Sequence, residues 1–178
     1  YLRGGTGNEW PLRALAAHGI AALCVNAVPG DTTKDARYRR AQAAVEGAAK
    51  LLSDRGSVDA NRVGMGGLSF GSEVTMWTAT NSELLKAVSI ASVQMEPAYY
   101  WFNARPGRET FAENVRKTWG AGSPDETPEL WKTLSPALNV DRIHAPILMQ
   151  FPEQEARLSI ELVSRLATAG IGETHIFP

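Results

Sequence analysis

One pentapeptide constrains the fold of this chain more than any other stretch. Residues 67–71 read Gly-Leu-Ser-Phe-Gly, the G-x-S-x-G spacing of a sharp strand-to-helix turn. Apolar Val63 and Met65 precede it in a short strand-like run, and a helical pattern follows it over residues 72–79. This order places Ser69 at the tip of the turn, where a base can take its proton and backbone N–H groups can receive an oxyanion. Ser69 is therefore the candidate nucleophile.

The glycines of the pentapeptide have a steric meaning in this interpretation. A turn of this kind forces the serine into a cramped backbone conformation, so the residues two positions away on each side, Gly67 and Gly71, must lack bulk. The alternative is that the spacing arose by chance in a glycine-bearing loop. The strand before it and the helix after it favour the catalytic interpretation.

Apolar runs of strand length alternate with helical periodicity along most of the chain. Together they predict an α/β fold, a mostly parallel, doubly wound sheet with helices on both faces. Prolines and aromatics between Ser92 and Asn139 indicate an excursion from that sheet, with short helices such as Glu109–Trp119. The predicted strands are Ile20–Asn26, Val63–Gly67, Leu84–Ala91, Pro146–Phe151 and Glu173–Phe177. The first predicted helix is capped by Asn8 and ends at Gly19. The later predicted helices are Lys34–Leu52, Ser72–Thr80 and Leu158–Gly170.

Composition limits the partners of the chain. With 178 residues, 44% hydrophobic content and a formal charge of −1, it is an ordinary single globular domain with no electrostatic footprint for nucleic acid or an anionic membrane. The arginines at 37, 39 and 40 are expected to form a solvated helix face, and Cys24 to be a buried small hydrophobe. No spacing indicates a metal or cofactor. The start at Tyr1 is typical of a fragment, so the compartment stays open, with a soluble, cytoplasmic protein slightly favoured.

A serine nucleophile needs an acid and a histidine, which in α/β-hydrolases follow it in that chain order. Glu153 and Glu155 come directly after the strand at 146–151, where loops at the carboxyl edge of a sheet form sites. Alternatively, both glutamates simply occupy the first turn of the next helix, favoured by its dipole. His18 and His144 precede the acid and His175 falls within a predicted strand, so no histidine here fits the base.

Several blocks of the sequence resemble the prolyl oligopeptidase family of serine peptidases. Glu155-Ala-Arg-Leu stands where the family shows D-x-R-V, which favours Glu155 over Glu153. The resemblance implies that residues 1–178 are a partial α/β-hydrolase catalytic domain and that the catalytic histidine lies just beyond Pro178. The Phe70 backbone N–H is then one oxyanion donor. The matching blocks are Val58–Gly64 with the pentapeptide, Trp119-Gly120, Leu134–Pro136 and Ile143–Leu148.

Three departures from the family pattern are similar to a narrower group, the lasso peptide isopeptidases. Ser72 replaces the second glycine that usually follows the pentapeptide, glutamate replaces aspartate as the acid, and Phe151-Pro152 replaces the usual His-Gly before the acid. The stretches Leu2–Glu9 and Gly67–Thr75 also resemble that group. Its members hydrolyse the bond that closes a lasso's macrolactam ring. The resemblance implies a lasso peptide substrate and an N-terminal β-propeller in the intact chain.

The aromatic cluster at 99–102 allows two interpretations. Tyr99, Tyr100 and Trp101 can wall a bulky threaded substrate, or they can fill the core, as aromatics more often do. The function likewise has alternatives to isopeptide hydrolysis. One is an oligopeptidase, a dipeptidyl or acylaminoacyl peptidase, or an esterase, acting on linear peptides or small esters; the other is a binding module that kept the fold and lost catalysis.

Overall fold

The structure, a computed structural model, describes residues 12–26, 29–31, 33, 35–93, 95–103 and 110–178. The predicted N-terminal loop and the Asn8 cap lie outside these residues. The helices of the described part are α1 (Leu12–Ala17), α2 (Ala36–Asp54), α3 (Phe70–Asn81), α4 (Pro97–Tyr100), α5 (Phe111–Trp119), α6 (Pro128–Leu134), α7 (Glu153–Ala156) and α8 (Ile160–Thr168). Two 3-10 helices cover Pro136–Arg142 and Arg157–Ser159.

Four parallel strands form one sheet in the described part of the chain, in the order β1-β2-β3-β4. They are β1 (Val63–Leu68), β2 (Leu85–Ala91), β3 (Ile147–Pro152) and β4 (Gly172–Phe177). Parallel strands end at a common edge, so the residues that follow β1 and β3 lie at the same carboxyl edge of the sheet. The predicted α/β fold class is confirmed, and four of the five predicted strands are present.

Helix α3, which carries the residues after the candidate nucleophile, is buried almost all round. Every residue from Ser72 to Thr80 is buried, and the helix packs on β1, β2 and α2. Helix α8 instead presents one apolar face, on which Leu162 and Leu166 are fully buried. The region between β2 and β3 contributes buried aromatics such as Trp119 and Trp131 to the same core.

The predicted strand Ile20–Asn26 is wrong. These residues form no regular secondary structure and are exposed, Leu23 to 58% of its maximum. Cys24, expected to be buried, is also exposed. A strand needs a hydrogen-bonded neighbour, and β1, at the sheet edge, pairs only with β2 among the described residues. The apolar run pairs with none of the four described strands, so its side chains stay exposed.

No helix in the described ranges is both long enough and apolar enough to cross a membrane.

Candidate active site

Ser69 forms the turn between β1 and α3 in an unusual backbone conformation. Its φ is 53° and its ψ −121°, values that a non-glycine residue adopts only when its surroundings enforce them. Its N–H donates to the carbonyl of Ala91 at the end of β2, at 3.0 Å, and its own carbonyl accepts from the Glu73 N–H at 3.1 Å. The strained turn expected of a nucleophile serine is therefore present and fixed from both sides.

The two glycines of the pentapeptide differ in what they do. A Cβ at Gly67 would lie 2.0 Å from the carbonyl carbon of Gly71, so no side chain fits there. Among the described residues, a Cβ at Gly71 would meet nothing within 4 Å outside its own helix and chain neighbours. The prediction that both positions must lack bulk is thus right for Gly67 and wrong for Gly71, because it is the Gly71 backbone that fills the space.

Ser72 ties the turn to the neighbouring strand. Its buried hydroxyl lies 2.6 Å from the Gly67 carbonyl and also contacts the Ala91 carbonyl, and it accepts the Ala91 N–H at 3.0 Å. One side chain thereby joins the end of β1, the end of β2 and the start of α3. A glycine at this position would supply none of these bonds.

Phe70 is the first residue of α3. The first N–H groups of a helix have no intrahelical acceptor, and the helix dipole favours negative charge beside them. The Phe70 N–H therefore has the position that an oxyanion donor requires. Its catalytic role stays a prediction.

A buried carboxylate lies four residues after Ser69 that the sequence analysis did not single out. Glu73 is 1% exposed and accepts hydrogen bonds from Arg37 Nη2 at 2.7 Å, from Tyr38 Oη at 2.7 Å and from Tyr100 Oη. Burial raises the pKa of both tyrosines well above the usual value, so their hydroxyls stay protonated donors. The expected solvated face is therefore wrong for Arg37, whose side chain is only 20% exposed. Glu73 is the one charged residue in the sequence of α3, and that was the available signal.

The two candidate acids stand in different surroundings. Glu153 is 58% exposed and forms an ion pair with Arg157 along its own helix turn. Glu155 is half-buried; its Oε1 lies 3.5 Å from Tyr99 Oη, and its buried Oε2 has no hydrogen-bond partner in the described part. A buried carboxylate oxygen without a partner is uncommon in folded proteins, and this one is free to accept a hydrogen bond. The contrast favours Glu155, although Arg157, the arginine of the family motif, contacts Glu153 instead.

The three histidines lie elsewhere. His175 is on β4 with its Nε2 2.7 Å from Glu173, and His144 Nε2 lies 3.6 Å from Glu83; both rings are more than half exposed. His18 is exposed in the turn after α1. These ring contacts involve neither Ser69 nor Glu155. That none of the three histidines is the base stays a prediction.

The aromatic cluster is divided between core and surface. Tyr99 and Tyr100 are 1% and 8% exposed, Trp101 is half-buried, and Phe102 is 64% exposed. The Tyr100 ring packs edge-on against Trp119, with 4.4 Å between centroids. Substrate contact by Tyr99, Tyr100 and Trp101 stays a prediction, and burial weighs against it for the two tyrosines. Within the described ranges, no group of three or more His, Cys, Asp or Glu residues could hold a metal ion.

A parallel sheet whose first strand runs through a strained serine turn into a buried helix is the arrangement of the α/β-hydrolases. Within that class, the profile of the prolyl oligopeptidase family matches residues 33–170. This chain belongs to the prolyl oligopeptidase family.

Similar proteins include the lasso peptide isopeptidase AtxE2 of Asticcacaulis excentricus, 28% identical over 177 residues, covering 87% of this chain and 24% of that protein. The structure of an AtxE2 isopeptidase variant with astexin3-dC4 bound superposes with a TM-score of 0.82 at 25% identity, over 99% of this chain and 29% of that one. Pyrococcus horikoshii acylaminoacyl peptidase, at 22% identity, has a TM-score of 0.63 over 78% of this chain and 22% of that one, and shares the fold. The chain thus spans less than a third of the length of these relatives.

Proposed function

We propose that the full-length protein is a serine hydrolase that cleaves the isopeptide bond closing the macrolactam ring of a lasso peptide. The observation that carries acyl transfer is the strained conformation of Ser69 between β1 and α3, which only a fixed turn maintains. Similarity to AtxE2 over 87% of the chain supports the isopeptide as the bond that is cleaved.

The reaction begins with Ser69 Oγ attacking the amide carbonyl carbon while a histidine base takes its proton. The negative charge on the carbonyl oxygen is stabilised by N–H donors that include Phe70. The C–N bond then breaks, the amine leaves with the proton from the histidine, and an acyl-enzyme remains. Water attacks the acyl carbon, the ester bond to Ser69 breaks, and the side-chain carboxylic acid of the now linear peptide is released.

Glu155 is the proposed acid of this site. Two strand spacings, roughly 10 Å, separate the ends of β1 and β3, a gap that side chains from both turns and one imidazole can span. The buried, unpartnered Oε2 of Glu155 supplies an acceptor for the N–H of that imidazole. Such a bond would fix the tautomer of the ring and stabilise its protonated form.

The second candidate is hydrolysis of linear peptides, as the name of the acylaminoacyl peptidase with the same fold suggests. The choice depends on the shape of the cavity above the sheet edge rather than on the acyl-transfer chemistry, which is the same. The N-terminal β-propeller implied by the family resemblance also stays a prediction, and it would contribute to that shape.

The test offers the full-length protein a threaded lasso peptide, the linear peptide of identical sequence and a small activated ester, with Ser69→Ala as the control. We expect the lasso to gain the mass of one water molecule and become linear, with the linear peptide left intact. Cleavage of the linear peptide alone would favour the oligopeptidase. Absence of fluorophosphonate labelling at Ser69 would favour a non-catalytic binding module.

A further inference from the structure

The cluster formed by Glu73, Arg37, Tyr38 and Tyr100, here called the Glu73 cluster, adjoins the turn that carries Ser69, since the Glu73 N–H donates to the Ser69 carbonyl. Three donors converge on the carboxylate: Arg37 and Tyr38 on Oε2, both at 2.7 Å, and Tyr100 on Oε1. The donors come from two helices, α2 and α4, and the acceptor Glu73 lies on a third, α3. The cluster therefore joins the nucleophile helix to two elements that are distant in sequence.

Placing a carboxylate at 1% exposure costs free energy unless the charge is paired and its oxygens are hydrogen-bonded. Glu73 has both, with one guanidinium and two phenol donors. Such buried ion pairs add little net stability compared with a well-packed apolar core. Stability alone therefore gives little reason for a charged pair at this position, and a geometric role accounts for it better.

The Arg37 guanidinium connects the cluster to the residue next to the nucleophile. Its central carbon lies 4.9 Å from the centroid of the Phe70 ring and 4.7 Å from that of Trp119. The Tyr38 ring lies 6.0 Å from the Phe70 ring and stacks on Trp77 at 5.6 Å. The Phe70 side chain is thus packed against a cation and an aromatic ring that are themselves fixed by Glu73.

We propose that Glu73 and Arg37 are positioning residues for acyl transfer, which hold the Phe70 side chain and thereby the orientation of its backbone N–H and of the Ser69 turn. The proposal rests on Ser69 being the nucleophile. Oxyanion donors act only when they are aimed at the place where charge develops, and small displacements cost large factors in rate. The negative charge of Glu73, which would oppose an oxyanion nearby, is neutralised by Arg37.

The test compares Arg37→Met with Arg39→Met in the full-length protein. The two arginines lie on the same helix, but Arg39 is 69% exposed and pairs only with Asp35 among its described ionic contacts. Arg37→Met should lower kcat about tenfold or more, with KM unchanged within twofold and a matching fall in the rate constant of fluorophosphonate labelling. Arg39→Met should stay within twofold of wild type. Each kcat is calculated per titrated active site, so that a smaller amount of folded protein does not lower the measured value.

Two further variants keep the proposal testable if Arg37→Met folds poorly. Arg37→Met combined with Glu73→Gln removes both charges and should recover part of the lost kcat, since no buried charge is left unpaired. Tyr100→Phe removes one donor from Glu73 and should lower kcat by a smaller factor without raising KM. A lower melting temperature with unchanged per-site rates, or a raised KM at constant kcat, would overturn the proposal. Wild-type protein unlabelled at Ser69 would instead overturn the nucleophile assignment.

Discussion

The turn of the proposed nucleophile Ser69 after β1, here the nucleophile turn, and the turn of the proposed acid Glu155 after β3, here the acid turn, lie at the same edge of the sheet. They are built very differently. The Ser69 N–H donates to the Ala91 carbonyl, and the Gly71 backbone packs where Gly67 has no side chain. The nearby Ser72 hydroxyl bonds to Gly67 and Ala91. Glu155 lies on a four-residue helix, with one contact at 3.5 Å to Tyr99 and one buried oxygen unpartnered in the described chain.

This difference indicates which half of the site is complete within the described residues. The nucleophile turn is held in its strained conformation by contacts to other described residues, among them Ala91 on β2 and the proposed Glu73 cluster. The acid turn has an acceptor without a donor, and its geometry depends on the imidazole it is proposed to hold. Substitutions that break the contacts of the first turn should therefore cost stability, whereas substitutions at the second should lower the rate alone.

The largest expected effect is at Ser69. Ser69→Ala should lower kcat by at least about three orders of magnitude with little change in melting temperature, because only the nucleophilic oxygen is lost. The measurement is hydrolysis of the preferred peptide together with a thermal scan. Ser72→Ala is the matched comparison: it removes a buried structural hydroxyl beside the turn and should cost about 1–2 kcal/mol of stability, with a far smaller fall in kcat than Ser69→Ala. Activity of Ser69→Ala near the wild-type rate would transfer the nucleophile role elsewhere.

The glycine pair tests whether the nucleophile turn is as tightly packed as its contacts indicate. Gly67→Ala should destabilise the protein by about 3 kcal/mol or more and remove activity, since its Cβ would overlap the Gly71 backbone. Gly71→Ala should be neutral or stabilise the fold by up to about 1 kcal/mol, because the position is helical and has room. Urea unfolding of both variants measures the difference. Equal losses at both positions would contradict the asymmetry.

The acid turn is tested by Glu155→Gln and Glu153→Gln. The first keeps the side-chain volume but favours the wrong imidazole tautomer, so kcat should fall by a factor on the order of a hundred or more at nearly constant melting temperature. The second removes only an exposed ion pair with Arg157 and should stay within a few-fold of wild type. The opposite ranking would assign the acid role to Glu153 and refute the motif alignment.

The sequence predicted what local chemistry determines. The pentapeptide and its flanking periodicities gave the turn, its strand and its helix within a residue or two, because the apolar run before the turn and the helical pattern after it are local signals. For the catalytic acid, the sequence left two candidates, Glu153 and Glu155, which are two residues apart. Local spacing could not separate them, since their difference in burial arises from packing against Tyr99 on a distant helix.

The features that depend on contacts far along the chain were missed or wrong. Arg37 looked like one of three surface arginines, yet its partner Glu73 is 36 residues away and buried. The run Ile20–Asn26 has the composition of a buried strand, but whether it becomes one depends on a neighbour that hydrophobicity cannot show. In both cases the decisive quantity is a tertiary pairing rather than a residue preference.

Both turns contact the short helix α4, and a buried acid fixes that helix. Tyr100 donates to Glu73 on the nucleophile side, and Tyr99 lies beside Glu155 on the acid side. Glu96, which caps α4 with its carbonyl, is 2% exposed and accepts hydrogen bonds from the Ser135 hydroxyl and the Ala137 N–H. Burial raises the pKa of Glu96 to about 7.

The smallest expected effect is a change in how stability depends on pH. Because the folded state keeps Glu96 protonated up to a pKa of about 7, it binds more protons than the unfolded chain between about pH 4.5 and 7. Stability should therefore fall as pH rises through that window, by at most about 1.4 kcal/mol per pH unit.

Glu96→Gln cannot ionise, yet its amide can accept from Ala137 and donate to Ser135. The variant should match wild type at pH 5 and exceed it by about 1–3 kcal/mol at pH 8, measured by urea unfolding, with Glu129→Gln on the exposed surface as the control. Parallel pH profiles for Glu96→Gln and wild type would show that Glu96 is ionised in the fold, and that α4 is held between the two turns by a charge.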